Sequence, residues 1–340
     1  MFSKFWNESI QKYFFSSKKA NYVSGLLIFA FVIFGLIRFY YYLSDDFRLS
    51  NITIGELSFK PSWEALPIQE EERCTLSEIF AQPFSYIGKG AQSYAFVSQD
   101  QRYVLKFFKF KHLKPNPLVE ILPDFSLFKS FKQKYKERKE RKLIGVFDGY
   151  ALAYREDREN AHLIYIHLVP TNYLHLQATV YDKMGFKRTI ALDDVVFLIQ
   201  EKGETLQVRL NHLLSEGRVE EVKKNLSRIL MMYLSEYKKG IYDHDHSVLQ
   251  NTGFIREQPF HLDLGKLNQD ERMKEISFYK EDLGQVIWKI DRWLEKKYPN
   301  YYPELSTFLA DQYVSITGES LESQTEDPKI ISKKRKWLGL

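Results

Sequence analysis

The apolar run "YVSGLLIFAFVIFGLI", Tyr22 to Ile37, limits what the rest of the chain can do. It continues through Arg38 into "FYYYL" and ends at Leu43, which gives 22 residues from Tyr22. About 20 apolar residues in a helix cross the hydrocarbon core of a bilayer. Tyr40, Tyr41 and Tyr42 suit the headgroup level, and Arg38 can snorkel toward it. No small-residue cleavage site follows, so the run reads as a retained anchor rather than a removed signal peptide. Lys4, Lys12, Lys18 and Lys19 precede the span, whereas Arg38 and Arg48 close it and follow it. That bias predicts an N-terminus inside and the bulk of the chain outside. The expectation is a single-pass membrane protein with a flank over 1–21 and a transmembrane helix over 22–43.

Beyond the anchor, 44% apolar and 16% aromatic residues in a chain of 340 are ample for a core. The net charge of +5 arises from mixed signs and gives no strong nucleic-acid signal. Cys74 is the only cysteine, which excludes an internal disulfide framework and any Cys-rich zinc module. Residues 44–81 read as a linker, with scattered prolines and the acidic run "QEEER". From Tyr86, "YIGKGAQSYAFVSQDQRYVLKFFKF" predicts two strands joined near Gln99-Asp100-Gln101. Asp124 is placed to cap a helix through Val146, with Phe125, Phe128, Phe131 and Tyr135 on its core stripe. "AHLIYIHLV" and "DVVFLIQEKGE" read as strands, and so do Thr252–Ile255 and Phe260–Leu262. Two amphipathic helices are expected, one ending at Gly240 and one stopped by Pro299. The polar tail 318–340, closing with "KKRKW", reads as a disordered basic segment.

Several residues carry chemical potential. Gly88 and Gly90 lie between two expected strands, where missing side chains let backbone N–H groups approach phosphate oxygens. Lys106 sits inside the apolar strand "YVLKFFK", and a buried ammonium needs an anionic partner. The stretch "GIYDHDHSVLQNTGFIREQPFHLDLGKL" gathers His244, His246 and His261 with Asp243, Asp245, Asp263 and Asn251.

The order of these parts resembles the protein-kinase-like superfamily over roughly Tyr86 to Tyr298: a glycine flap, a strand lysine, a helix with glutamates, a long helix, an Asp/Asn loop, then Asp-Leu-Gly. The resemblance implies an α+β, two-lobed kinase-like fold, with an N-lobe-like region over 82–203 and a reduced C-lobe-like region over 204–317. It implies ATP and Mg²⁺ as cofactors, with Gly88 and Gly90 over the nucleotide. Lys106 would reach the phosphates, held by Glu137 or Glu140. Asp245 would orient an acceptor hydroxyl, and Asn251 and Asp263 would hold metal. Three departures stand out. Ser93 replaces a third glycine, His244 replaces the arginine before the catalytic Asp, and Asn251 lies six residues after Asp245 where the family has five. Gln250 holds the usual position, so either the loop bulges or Gln250 takes the amide role.

No Ala-Pro-Glu motif follows Asp263, which favours a small molecule, sugar or lipid headgroup as acceptor. The shifted Asp–Asn spacing also fits a pseudokinase scaffold that binds a nucleotide or partner and transfers nothing. A third reading makes His244, His246 and either His261 or Asp263 a zinc or iron site. The expected partners are the lipid bilayer, a nucleotide and an unidentified acceptor. The run Lys129–Lys142, with eight basic residues around two glutamates, reads as a solvated helix face or as a contact for anionic headgroups. The charge bias conflicts with ATP use in any outer compartment that lacks ATP.

Overall fold

The structure is a computed structural model that describes residues 18–53, 59–64, 68–110 and 126–321. Lys4, Lys12, Asp124, Phe125 and the basic run Lys333–Lys336 lie outside the described residues.

Helix α1, Lys18–Leu43, keeps its apolar side chains from Val23 to Ile37 outward and unpacked. It is long and apolar enough to cross a membrane. Asp45 and Asp46 follow with φ of 52° and 62°. This left-handed turn tolerates Asp better than most residues. It redirects the chain so that Phe47 and Ile52, the latter in the short α2 (Leu49–Ile52), enter the core. Residues 44–81 therefore do more than link. Trp63 is buried, and α3 (Glu70–Phe80) buries Leu76, Ile79 and Phe80 at helical spacing.

Seven strands build the first lobe: β1 (Phe84–Lys89), β2 (Ser93–Ser98), β3 (Tyr103–Phe108), β4 (Leu163–His167), β5 (Gln177–Tyr181), β6 (Lys187–Ala191) and β7 (Phe197–Glu201). Their order is β4-β7-β3-β2-β1-β5-β6, antiparallel except that β1 pairs parallel with β5. The β2–β3 turn falls where expected, with Gln101 at φ 62°. Sequence reading did not assign the β5–β6 hairpin. Helix α4, Ser126–Glu156, runs well past Val146, and short α5 (Arg158–Ala161) follows it. Of the expected stripe, the described side chains are Phe131 and Tyr135. Phe131 is exposed and stacks on Tyr135, while Leu143, Val146, Phe147 and Tyr150 form the packed stripe. Among the described residues, the i, i+3, i+4, i+7 pattern that makes a core-facing stripe follows the basic run.

The second lobe follows strand β8 (Glu204–Thr205). It comprises α6 (Leu206–Ser215), α7 (Val219–Lys238), β9 (Ile241–Asp243), α8 (Val248–Asn251), β10 (Thr252–Ile255), β11 (Gln258–His261), β12 (Leu267–Gln269), α9 (Ile276–Lys297) and α10 (Tyr302–Thr317). Gly240, at φ +72°, turns the chain after α7 as expected. Val222, Leu226, Ile229, Tyr233 and Tyr237 give α7 its buried stripe against α9 and α10. The described chain is thus an α+β arrangement in two lobes, one built on the seven-stranded sheet and one largely helical.

A third apolar cluster joins the lobes. Phe108, Phe147, Tyr150, Ile241, Leu264 and Leu267 belong to it, so α4 is cemented to the Asp-Leu-Gly turn. Leu264, in the middle of that triplet, is fully buried. Gly149 makes the close approach possible: a Cβ there would lie 2.4 Å from the Leu264 carbonyl oxygen. Gly145, on the same helix, has nothing within 4 Å of its Cβ position. Gly149→Ala is therefore expected to lower the urea midpoint by the equivalent of about 1–3 kcal/mol through overpacking. Gly145→Ala should instead be neutral or stabilising by up to about 1 kcal/mol, because Ala is the better helix former.

Candidate active site between the lobes

Lys106 pairs in β3 with Ala95 of β2 and Leu198 of β7, which fixes its side chain toward the second lobe. Only 7% of the residue is exposed. Its Nζ donates to Gln200 Oε1 at 3.0 Å and to the Leu262 carbonyl at 2.5 Å. Burial pushes the ammonium down to about 8, and the nearby Asp263 carboxylate opposes that fall. Asp263 itself is exposed, and its Oδ1 accepts from the Tyr150 hydroxyl and the Gly265 N–H, both at 3.2 Å. The structure thus brings Lys106 and Asp263 into electrostatic contact, with one charge buried and the other open to a ligand.

Neither Glu137 nor Glu140 is among the hydrogen-bond partners of Lys106. Glu137 is exposed and accepts from Gln133 in the next turn. Gln200 takes the place next to the lysine. It is 1% exposed, and its Nε2 donates to the carbonyls of Ala161 (2.7 Å) and His261 (2.8 Å). Two of its three neighbours are acceptors, so an amide fits where a carboxylate would face carbonyl oxygens. The sequence hid this role because Gln200 is one polar residue near the end of an ordinary apolar strand.

Gly88 lies at a β-bulge in the β1–β2 register, and Gly90 N–H donates to the Ser93 carbonyl at 3.0 Å. A Cβ at Gly88 would meet nothing within 4 Å, and one at Gly90 only Ser93 Oγ at 3.9 Å. The open side of this hairpin can admit phosphate oxygens. Lys109 secures its tip by donating to the Gly90 carbonyl and lying over the Tyr94 ring.

Asp245 and Asn251 lie on the loop and short helix that follow β9. Asp245 is half-buried, donates its N–H to Asp243 Oδ1 at 2.8 Å, and accepts from Ser247 Oγ and Lys266 Nζ, both at 2.7 Å. Burial raises its carboxyl, but Lys266 and Ser247 outweigh burial and hold it below the usual range. Gln250 is exposed and donates to Gln207 on α6, away from this loop. Asn251 ends α8, and its carbonyl accepts from Leu262 N–H at 2.7 Å, next to Asp263. The backbone of Asn251, at the end of α8, is thereby bonded to the residue before Asp263, whereas the Gln250 side chain is turned to α6. Lys266, which sequence reading passed over, joins Asp245 to the residues just after Asp-Leu-Gly.

The three histidines part company. His244 is exposed against the Tyr242 ring, His246 pairs with Asp282 of α9 at 2.7 Å, and fully buried His261 pairs with Glu236 of α7 at 3.2 Å. Burial alone would lower His261, yet Glu236, Asp243 and Asp157 raise it to about 9. Among the described residues no group of three or more His, Cys, Asp or Glu side chains is disposed to hold a metal ion. Asn251 and Asp263 offer amide and carboxylate oxygens, hard donors that suit Mg²⁺ better than zinc.

No family model and no curated protein matches the chain. Among solved structures, WbdD at 2.2 Å is similar over 74% of this chain and 50% of its own, with a TM-score of 0.36 and 15% identity. Rv3197 in complex with erythromycin, from Mycobacterium tuberculosis, covers 68% of this chain and 55% of its own, with 0.30 and 14%. The streptomycin–ATP complex of APH(2″)-IIa covers 77% and 98%, with 0.28 and 13%. The chain spans about half the length of the WbdD structures. At such TM-scores the likeness carries no inference about activity, which rests on the site's own geometry.

Because the folded state holds the Lys106 proton less tightly than an unfolded chain does, the cost of burying the ammonium is relieved progressively as pH rises from about 8 toward 10.5. The stability difference between wild type and Lys106→Met, from urea unfolding, should shift toward wild type across that window by at most about 3 kcal/mol. A flat difference would place the ammonium in water.

Proposed function

We propose that the chain is a membrane-anchored, kinase-like phosphotransferase that binds Mg-ATP and passes phosphate to the hydroxyl of a small molecule, sugar or lipid headgroup. One observation supports this most: a buried ammonium, Lys106, set against an open carboxylate, Asp263, at the join between two lobes. Isolated burial of that charge is costly, and an anionic ligand beside the ammonium removes the cost.

Lys106 then orients and neutralises phosphate oxygens, with Gln200 and the Leu262 carbonyl fixing its position. Gly88 and Gly90 admit the phosphates beneath the β1–β2 hairpin. Asn251 and Asp263 are the residues that would hold Mg²⁺, which supplies charge neutralisation at the phosphates. Asp245 orients the acceptor hydroxyl and takes its proton, and Lys266 keeps that carboxylate ionised. Catalysis on this reading is positioning and electrostatics. A small acceptor is favoured because only a short helical turn, Glu271–Lys274, separates β12 from α9. That leaves no extended platform for a peptide.

The pseudokinase reading keeps one support, the engagement of Asp245 by both Ser247 and Lys266. It predicts nucleotide binding by the full-length chain with no EDTA-sensitive ATP turnover. For an active enzyme, Lys106→Met should abolish Mg-ATP binding in calorimetry while the far-ultraviolet circular dichroism is unchanged. Asp263→Asn should lose the dependence of binding on Mg²⁺. Asp245→Asn should bind nucleotide nearly as wild type yet lose roughly 100- to 10,000-fold in turnover. Unchanged ATP affinity in Lys106→Met would overturn the assignment.

A further inference from the structure

The end of α1 is clamped to the first lobe, and the clamp lies on the β5–β6 hairpin. Arg188 Nη2 donates to the Tyr40 hydroxyl at 3.0 Å, and Tyr40 lies in the last turn of α1. Lys183 and Lys89 each approach the Asp45 carboxylate at 3.1 Å, and the Tyr86 hydroxyl donates to it at 3.0 Å. Arg48 lies over the Tyr41 ring, 3.8 Å from its centroid. The lobe cannot swing freely beneath its helix, so the surface beside the helix end is fixed.

That surface is the tip of the hairpin. Asp182 organises it from a buried position. Its Oδ1 accepts the N–H groups of Met184 and Phe186, both at 3.0 Å, and its Oδ2 accepts from Arg188. Gly185 supplies the left-handed residue of the turn, at φ +81°. A turn so tightly bonded has no structural need of large apolar residues at its apex. Yet Met184 is 43% and Phe186 54% exposed, with Lys183 and Lys187 exposed on either side. Single exposed apolar residues are ordinary. Two on a rigid apex, flanked by lysines and tied within two residues to the end of an apolar helix, are not.

We propose that the β5–β6 tip, Lys183 to Lys187, seats in the headgroup layer of the bilayer beside the exit of α1, with Met184 and Phe186 inserted and Lys187 at anionic headgroups. This rests on reading α1 as a membrane span. A strand rises about 3.4 Å per residue, so Phe186 lies within about 7 Å of Arg188 along the strand. The polar layer of one leaflet is roughly 6 Å deep. A tip anchored at Tyr40 is therefore within reach of that layer. Apolar side chains backed by cations bind anionic interfaces through both burial and charge. The lobe is thereby docked at two points, the helix and the hairpin, which fixes the interlobe cleft relative to the membrane plane.

The test uses the full-length chain carrying Cys74→Ser, reconstituted in nanodiscs containing phosphatidylglycerol. Met184→Cys, Phe186→Cys, Met231→Cys and Val32→Cys are each labelled with an environment-sensitive fluorophore. Lipids bearing a nitroxide near the headgroup or deep in the acyl chain then report depth. Val32 lies within the α1 span, and Met231 is exposed on α7 of the second lobe. The expected result is strong shallow quenching at 184 and 186, deep quenching at 32 and none at 231. Deep quenching at 32 with no lipid quenching at 184 or 186 overturns the hairpin proposal and leaves the anchor standing. Absence of quenching at 32 overturns the anchor, and the hairpin proposal with it.

Discussion

A single ammonium organises this protein. Lys106 is buried at the seam between two lobes, and burial of a cation without partners is prohibitive. The surrounding structure meets that demand in three ways: the Gln200 amide from the neighbouring strand, the Leu262 carbonyl from the second lobe, and the field of Asp263. Gln200 comes from β7 and Leu262 with Asp263 from the segment after β11, so satisfying one charge fixes β3, β7 and that segment relative to one another. The apolar cluster around Leu264, Phe147 and Tyr150 sets the same distance from the other side, with Gly149 permitting contact.

Behind that seam lies a second polar layer. His261, paired with Glu236, offers its carbonyl to Gln200, and Asp243 accepts the Asp245 N–H. Burial pushes both Asp243 and Asp157 up to about 7, and the Lys239 ammonium lies 2.7 Å from Asp157. These groups face the interior, not the cleft. They act on the site by fixing the backbone that carries Asp245 and Asp263, and they account for acidic and histidine residues whose clustering suggests a metal site.

The sequence disclosed the main elements because their signals were local. The helix ending at Gly240, the strands around Lys106 and the hairpin between Asn251 and Asp263 follow from periodicity and turn chemistry. What was not legible depends on which groups meet in space. Gln200 reads as one polar residue at a strand end, and only the fold reveals two carbonyls beside it. That the Asn251 backbone, not that of Gln250, is bonded beside Asp263 depends on the one-turn helix α8, which no propensity announces. Residues 44–81 look like a spacer because their prolines and acids dominate the composition. Their core contribution comes from a few apolar residues at helical spacing and from the turn at Asp45 and Asp46.

The central claim is that Lys106 faces the phosphates of a bound nucleotide whose metal is held by Asp263. The most direct measurement is labelling of the full-length chain with an acyl-phosphate derivative of ATP, which acylates an amine placed at its phosphates, followed by peptide mass spectrometry. The account predicts acylation at Lys106 that requires Mg²⁺, is blocked by excess ATP and is lost in Asp263→Asn. Labelling that spares Lys106, or that persists there without Mg²⁺ and in the presence of excess ATP, would contradict it.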